Sequence, residues 1–448
     1  WNCRGDVMLT TLKNVFKIKE LRNKILFTLG MLVVIRFGSQ LPVPGIRIDE
    51  FVNWFQQKVG AADSSGFLSA ITGGSFENMS ILALNITPYI TSSIIMQLLT
   101  IAIPKLEEMQ KDGEDGRKKI VAITRYVTVG LALIESAAMA FAFWNGGMLD
   151  SKNALNVITI IATLTAGSAF LMWVGEQITE HGIGNGISIV LVINIISRIP
   201  QDISQLFKTF VLVEGKPIAV RVVAALVIIA VIVAVVVLVI ILNGGTRKIP
   251  VQYAKKIQGR KTVGGQSSCI PLKVNTSGVI PIIFASSLMQ LPVVICSFFG
   301  IQGTGFWGHV LRGLSSSNWC NPKEPVYSIG LVVYIALVIF FAYFYTSITF
   351  NPLEIADNMK KSGGFIPGIR PGKPTSDYLT KILNYIVFIG AIGLTIVCVI
   401  PFIFNGVFGA QVSFGGTSLI IIVSVILETM KQVESQMLVR NYKGFLND

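Results

Sequence analysis

The sequence predicts an all-α polytopic membrane protein with ten transmembrane helices, set out as two pseudo-symmetric halves of five. Three observations predict this. Of 448 residues, 52% are hydrophobic and only 14% charged, against roughly 25% charged in an average soluble domain. The mean hydropathy is +0.67, so the chain has too few ionised side chains to clothe a water-facing surface. The apolar residues also gather into ten stretches of about 20 residues, the length that crosses a hydrocarbon core. The same figures exclude low-complexity disorder, which is poor in apolar residues. A disulfide scaffold is excluded too, because five Cys are sparse and odd in number.

In chain order the expected spans are 25–43, 79–103, 120–143, 154–174, 183–199, 218–242, 279–299, 327–350, 382–404 and 417–437. The sixth is an unbroken aliphatic run. The first is interrupted by Arg36, and the fifth is short and begins in a glycine-rich turn. No small-residue cleavage site follows the first stretch, so it reads as a span rather than a removable leader. Met8 reads as the natural start, with the seven residues before it an extension. The organisation expected is an N-terminal segment 1–24, one half over 25–217, a second over 218–437 and a tail 438–448.

Charge then gives orientation. The net charge is +13, which in a soluble protein would suggest nucleic acid. With the N-terminus inside, 27 of the 37 Lys and Arg fall on inside segments, and a basic excess marks the cytoplasmic side. Both termini are therefore expected to be cytoplasmic. The densest inside loop, 243–278, carries Arg247, Lys248, Lys255, Lys256, Arg260 and Lys261; the next long one, 351–381, is stiffened by Gly and Pro around Arg370. Orientation explains their sign but not their length. Such loops suit an acidic partner or RNA phosphate, or anionic lipid headgroups.

Residues for bond chemistry are scarce. The two His, His181 and His309, are too few for a His-based metal site, and Cys3, Cys269, Cys296, Cys320 and Cys398 show no CxxC spacing. No metal or cofactor is expected. Gly182, Gly184 and Gly186 resemble a phosphate loop only superficially; they read as a tight turn with φ > 0 positions. Glu135 is the single deep acid, while Arg36, Arg125 and Arg221 lie near span ends and can snorkel. A secondary transporter would show buried charge at mid-membrane, and an intramembrane enzyme paired acids, a Ser/His pair or metal ligands. Neither pattern is present in the sequence, which counts against both readings.

Two further features stand out. Between the first two spans, Gly66, Phe67, Leu68, Ser69, Ala70, Ile71, Thr72 and Gly73 form a segment too short to span and too apolar for a free loop. It reads either as an interfacial helix or as a re-entrant piece held in a protein cavity. Spans 2 and 7 each combine a proline (Pro88, Pro281), hydroxyls (Thr91, Ser92; Ser286, Ser287) and isoleucines. They are expected to be proline-kinked helices that either pack ordinarily through small residues or line an apolar, movable seam, and their matching places in two five-span halves hint at an inverted repeat.

At these residues the chain, from about Lys13 to Tyr442, resembles the SecY family of protein-conducting channels. The resemblance is carried by 85–90 (Asn-Ile-Thr-Pro-Tyr-Ile) with 94–100, 113–119 (Gly-Glu-Asp-Gly-Arg-Lys-Lys), 175–179 with 182–188, and 271–275 with 278–287. It continues through 350–352 (Phe-Asn-Pro), 368–372 (Gly-Ile-Arg-Pro-Gly) and 414–419. It implies an hourglass pore hinged between the fifth and sixth spans, which conducts unfolded chains and releases apolar segments sideways into lipid. It implies a pore ring of Ile86, Ile90, Ile187, Leu191, Ile283 and Ile421, with a plug over about 65–75. A lateral gate between spans 2–3 and 7–8 would hold Thr91, Ser92, Gln97, Ser286, Ser287 and Gln290. The two basic loops would dock the SecA motor or the ribosome, with Arg260, Lys261 and Arg370 foremost, and SecE-like and SecG-like small subunits would accompany the chain. Residues 1–7 have no counterpart in this resemblance, His181 stands where members often carry a basic residue, and Leu191 replaces an isoleucine.

Overall fold

A computed structural model describes residues 18–54, 72–151, 153–211, 218–253, 256–258, 261–263, 267–298, 306–315, 319–320, 325–408 and 416–444. Its first half contains α1 (Lys19–Gly38), a short α2 (Ile48–Trp54), α3 (Thr87–Ala102), α4 (Pro104–Lys111), α5 (Glu114–Gly146), α6 (Ala154–His181) and α7 (Gly186–Phe210). Next come α8 (Ile218–Gly244), β1 (Thr246–Tyr253), β2 (Lys256–Gln258), β3 (Lys261–Val263) and β4 (Ser267–Lys273). The chain continues through α9 (Ile280–Phe298), α10 (Phe306–Leu314), α11 (Ile329–Thr349), α12 (Pro352–Lys361), β5 (Gly364–Phe365), α13 (Lys373–Phe408) and α14 (Gly416–Gly444).

Each of the ten expected spans coincides with a helix: α1, α3, α5 to α9, α11, α13 and α14. Among the described residues, six helices are long and apolar enough to cross a membrane by themselves, or seven if the pair α3 and α4, bent by 106°, is one span. Several helices overrun the expected bounds at their polar ends, because a helix continues in water past the point where hydropathy stops marking it. α5 starts at Glu114, for example, with Asp115 also in its first turn, where acids favour the positive end of the helix dipole. Exposed apolar residues cover the outward faces of the spans. On α8 these include Val222, Val223, Leu226 (63% exposed), Val233 and Val237. A contiguous apolar surface of this kind is foreign to a soluble monomer and suits a hydrocarbon solvent.

Span 2 differs from expectation in two ways. Residues 79–86 are turns rather than helix, with Met79 and Asn85 at φ of 43° and 53°. Hydropathy reads this apolar stretch as membrane helix, but it is buried irregular backbone: Met79, Leu82, Ala83, Leu84, Asn85 and Ile86 are all covered by protein. Non-helical backbone is tolerated at membrane depth only under that condition. Pro88 consequently falls in the first turn of α3, and Pro281 is the second residue of α9. Neither kinks its helix, since the N–H that proline lacks would be unpaired there anyway. The proline inside α9 is Pro292.

The two largest apolar clusters lie in different halves of the chain. One core packs α5 and α6 with α2 and the 76–84 segment, through Phe51, Met79, Met139, Phe143, Ile160 and Leu164. The other joins α8, α9, α11, α13 and α14 through Val239, Ile282, Tyr334, Val338, Leu394 and Ile420. Between them, α7 touches both α8 and α14, and Leu21, Ile183 and Val433 form a small cluster linking α1, the turn before α7, and α14.

The two basic segments expected as loops are one folded unit. β1 pairs antiparallel with β4, from Thr246 opposite Lys273 to Gln252 opposite Ser267, and with β5, Tyr253 opposite Gly364. β2 and β3 pair separately, Lys256 opposite Val263. The strands are short and basic, which hides them in a charge-led reading. The period-2 signal is nevertheless present: β1 buries Ile249 and Val251 and exposes their neighbours. With Leu272 and Ile366 these residues pack on Met359, Leu379, Ile382 and Ile386, seating the sheet on α12 and α13.

Candidate pore and its flanking surfaces

Two helix starts build the centre of the first half. α3 begins after Ile86, whose carbonyl accepts the Ile90 N–H at 3.1 Å. α7 is capped by Asn185, whose side chain accepts the N–H groups of Ile187 (3.1 Å) and Ser188 (3.4 Å), an arrangement worth about 1 kcal/mol. Ile187 and Leu191 stand four residues apart on one face of α7. Four expected ring residues thus meet in one apolar cluster. Ile86 (fully buried) and Leu191 are in its interior, with Ile90 and Ile187 packed against it, beside Leu82, Leu171, Val174 and Ile178. Ile421 of α14 joins a neighbouring cluster with Val192 and Ile195 of α7. Ile283, on the first turn of α9, is half-buried and belongs to neither cluster.

Of the expected plug, Gly66, Phe67, Leu68, Ser69, Ala70 and Ile71 lie outside the described residues. Thr72 is buried, and Gly73 has φ of +62° and presses on the backbone of α7.

The expected gate residues separate. Ser92 is buried and turned into its own half: its hydroxyl lies 3.0 Å from the Tyr89 carbonyl and within hydrogen-bond reach of Thr128 on α5. It joins α3 to α5, as hydroxyls join membrane helices generally. Thr91 donates to the Thr87 carbonyl at 3.1 Å, and Ser286, also buried, donates within α9 to Ile282 at 2.8 Å. Gln97 and Ser287 are exposed, and the side chain of Gln290 lies outside the described residues.

On the sheet, Arg247 and Lys248 are exposed on β1. Lys256 and Lys261 are placed in β2 and β3, while Lys255 and Arg260 lie outside the described residues. Arg370 is exposed between Gly368 and Gly372, at φ of 82° and 105°. Its carbonyl accepts the Thr375 hydroxyl at 2.8 Å, so the tip is braced rather than free.

Comparisons with known proteins agree with this arrangement. The SecY family model matches residues 80–430. The chain is 43% identical over 447 residues to the protein translocase subunit SecY of Bacillus licheniformis, with 98% of this chain and 100% of that protein covered. It is similar in fold to a solved structure described as that of a protein conducting channel, with a TM-score of 0.61, 19% identity, and coverage of 93% and 92% of the two chains. A second similar fold is that of Sec61 in the canine ribosome-channel complex from the endoplasmic reticulum, with a TM-score of 0.59, 18% identity and the same coverage. A family match over most of its length and 43% identity end to end lead to one conclusion: the chain belongs to the SecY family of protein translocase subunits.

Proposed function

We propose that this chain forms the central pore through which unfolded secretory polypeptides cross the cytoplasmic membrane, and that it lets apolar segments leave sideways between α3/α5 and α9/α11. The observation that carries the reading is the convergence of Ile86, Ile90, Ile187 and Leu191 at the starts of α3 and α7. Branched aliphatic side chains make a constriction that water does not fill, and such constrictions gate by dewetting. They also offer a passing chain no strong site. Ile283 and Ile421 complete the ring from the second half, and residues 65–75 plug it. The halves 25–217 and 218–437 hinge between α7 and α8. A segment that reaches the seam partitions into lipid by its own transfer free energy, about 0.3–0.6 kcal/mol favourable per Leu or Ile at mid-bilayer. Thr91, Ser92, Gln97, Ser286, Ser287 and Gln290 line or brace that seam.

Both termini face the cytoplasm in this reading, as the basic excess requires. The sheet that unites residues 246–273 with 364–365 then becomes one cytoplasmic platform for SecA or the ribosome, with Arg247, Lys248, Lys255, Lys256, Arg260, Lys261 and Arg370 as contacts. SecE-like and SecG-like subunits and anionic lipids cover the outer helix faces. Replacing Arg370 with Glu is expected to reduce SecA-driven export into inverted membrane vesicles by roughly tenfold or more, since an interface hot spot costs about 2 kcal/mol or more. Membrane accumulation of the subunit stays normal, because the side chain is exposed and only its backbone carbonyl braces the tip. Unchanged export would refute the docking assignment.

A further inference from the structure

The turn segment that precedes α3 is fastened to one face of α7 at three levels. Gly73 stands closest: a Cβ there would lie 2.7 Å from the Asn194 carbonyl oxygen and 3.0 Å from Ser197 Oγ. Next, Arg198 Nη1 meets Glu77 Oε2 at 2.5 Å, with side chains only 16% and 31% exposed. Last, Asn194 Nδ2 donates to Asn85 Oδ1 at 3.1 Å, and the same oxygen accepts the Ile86 N–H at 2.8 Å. Both carboxamides are buried, at 2% and 1% exposure. Asn194, Ser197 and Arg198 are spaced i, i+3 and i+4, so they share one helix face. The fastened segment ends at Ile86, the first ring residue, and begins within the last residues of the proposed plug.

Buried polar pairs of this kind are asymmetric. While the segment stays docked, the Asn194 amide and Arg198 Nη1 each have a partner, and of the guanidinium nitrogens only Arg198 Nε is buried without one. When it leaves, the Asn194 amide and the Arg198 guanidinium lose theirs in a largely apolar surrounding, and an unpaired buried polar group is costly. We propose that Glu77, Asn85, Asn194 and Arg198 form a clasp that holds residues 73–86 on α7 and so sets how strongly a signal segment must engage before the pore opens. They are positioning residues for conduction, and the proposal rests on the pore reading above.

The test uses inverted membrane vesicles carrying the full chain with its partner subunits, and two precursors, one with an intact and one with a weakened signal segment. Glu77→Arg and Arg198→Glu are each expected to raise export of the weakened precursor about tenfold, the factor that corresponds to 1.4 kcal/mol. Export of the intact precursor changes little. The double charge swap returns the weakened precursor to the wild-type level, which loosened packing alone would not do. Asn85→Gly keeps the left-handed backbone and removes the amide. It moves selectivity in the same direction, and decides the matter if the charge variants do not accumulate. Unchanged selectivity in these variants, or a swap that restores nothing, overturns the clasp. A stalled intact precursor crosslinked to Ile90→Cys separates the two ideas. Crosslinking with unchanged selectivity removes the clasp and leaves the pore, whereas no crosslinking in the otherwise wild-type chain removes the pore and the clasp with it.

Discussion

Replacing Ile86 and Ile283 together with Asn is expected to raise ion leakage through resting vesicles by on the order of tenfold, the equivalent of about 1.4 kcal/mol on the barrier, and to relax selection among signal segments. The cause is local. Ile86 is fully buried among Leu82, Leu171, Val174 and Ile178, and a carboxamide placed there lacks an assured partner, which costs about 1–3 kcal/mol if it stays dry. Water entering to satisfy it wets the constriction, and a wetted constriction conducts. Ile283 stands half-buried at the start of α9, so its substitution works from the other half and perturbs packing less. Dye-release or conductance measurements on reconstituted vesicles check this. Wild-type leakage together with wild-type selectivity would remove both residues from the seal.

Gly186→Val is expected to have the largest effect on stability. The turn Gly182, Gly184 and Gly186 is expected from sequence to need φ > 0, but only Gly184 has it, at +81°. The other two serve close approach. A Cβ on Gly186 would stand 1.9 Å from the Gly175 carbonyl oxygen, and one on Gly182 would stand 2.5 Å from Thr28 Oγ1. Gly186 is also the first residue of α7, and its N–H donates to Thr179 Oγ1 on α6 at 2.9 Å. A valine must therefore push α7 off α6 and drag Asn185, Ile187 and Leu191 with it. Overpacking of this sort costs roughly 1–3 kcal/mol and sometimes more. A lower midpoint of thermal unfolding in detergent and reduced accumulation in membranes are the expected readouts. Gly244→Ala, where a Cβ meets nothing within 4 Å, provides the contrast and is expected to change neither.

The sequence displays the membrane helices because their cause is local. About 20 apolar residues suffice, and each of the ten stretches contains a helix. Ile86, Ile90, Ile187 and Leu191 are singled out by family motifs rather than by local chemistry, and chain folding brings those four into one cluster. What stayed hidden depends on long-range pairing. Nothing within 79–86 distinguishes a buried turn from the start of a helix, since both are apolar. The distinction comes from α5, α6 and α7 covering that stretch. Asn194 looks like an ordinary polar residue in a span until Asn85, 109 positions away, is found to accept its hydrogen bond. The composition of α3 places Ser92 at a seam, but the direction of its hydroxyl, toward Thr128 on α5, depends on packing that the sequence does not display. The basic loops concealed a sheet because charge dominated a weak period-2 pattern, and β5 finds its partner only across more than a hundred residues.

The central claim is that a translocating chain passes between the starts of α3 and α7. Site-specific crosslinking of a stalled secretory chain to Ile90→Cys tests it most directly, with Leu226→Cys on the outward face of α8 (63% exposed) as the reference position. The account predicts a strong crosslink at position 90 that depends on a stalled chain, and none at 226. Equal labelling at both positions, or labelling at 226 alone, would contradict it.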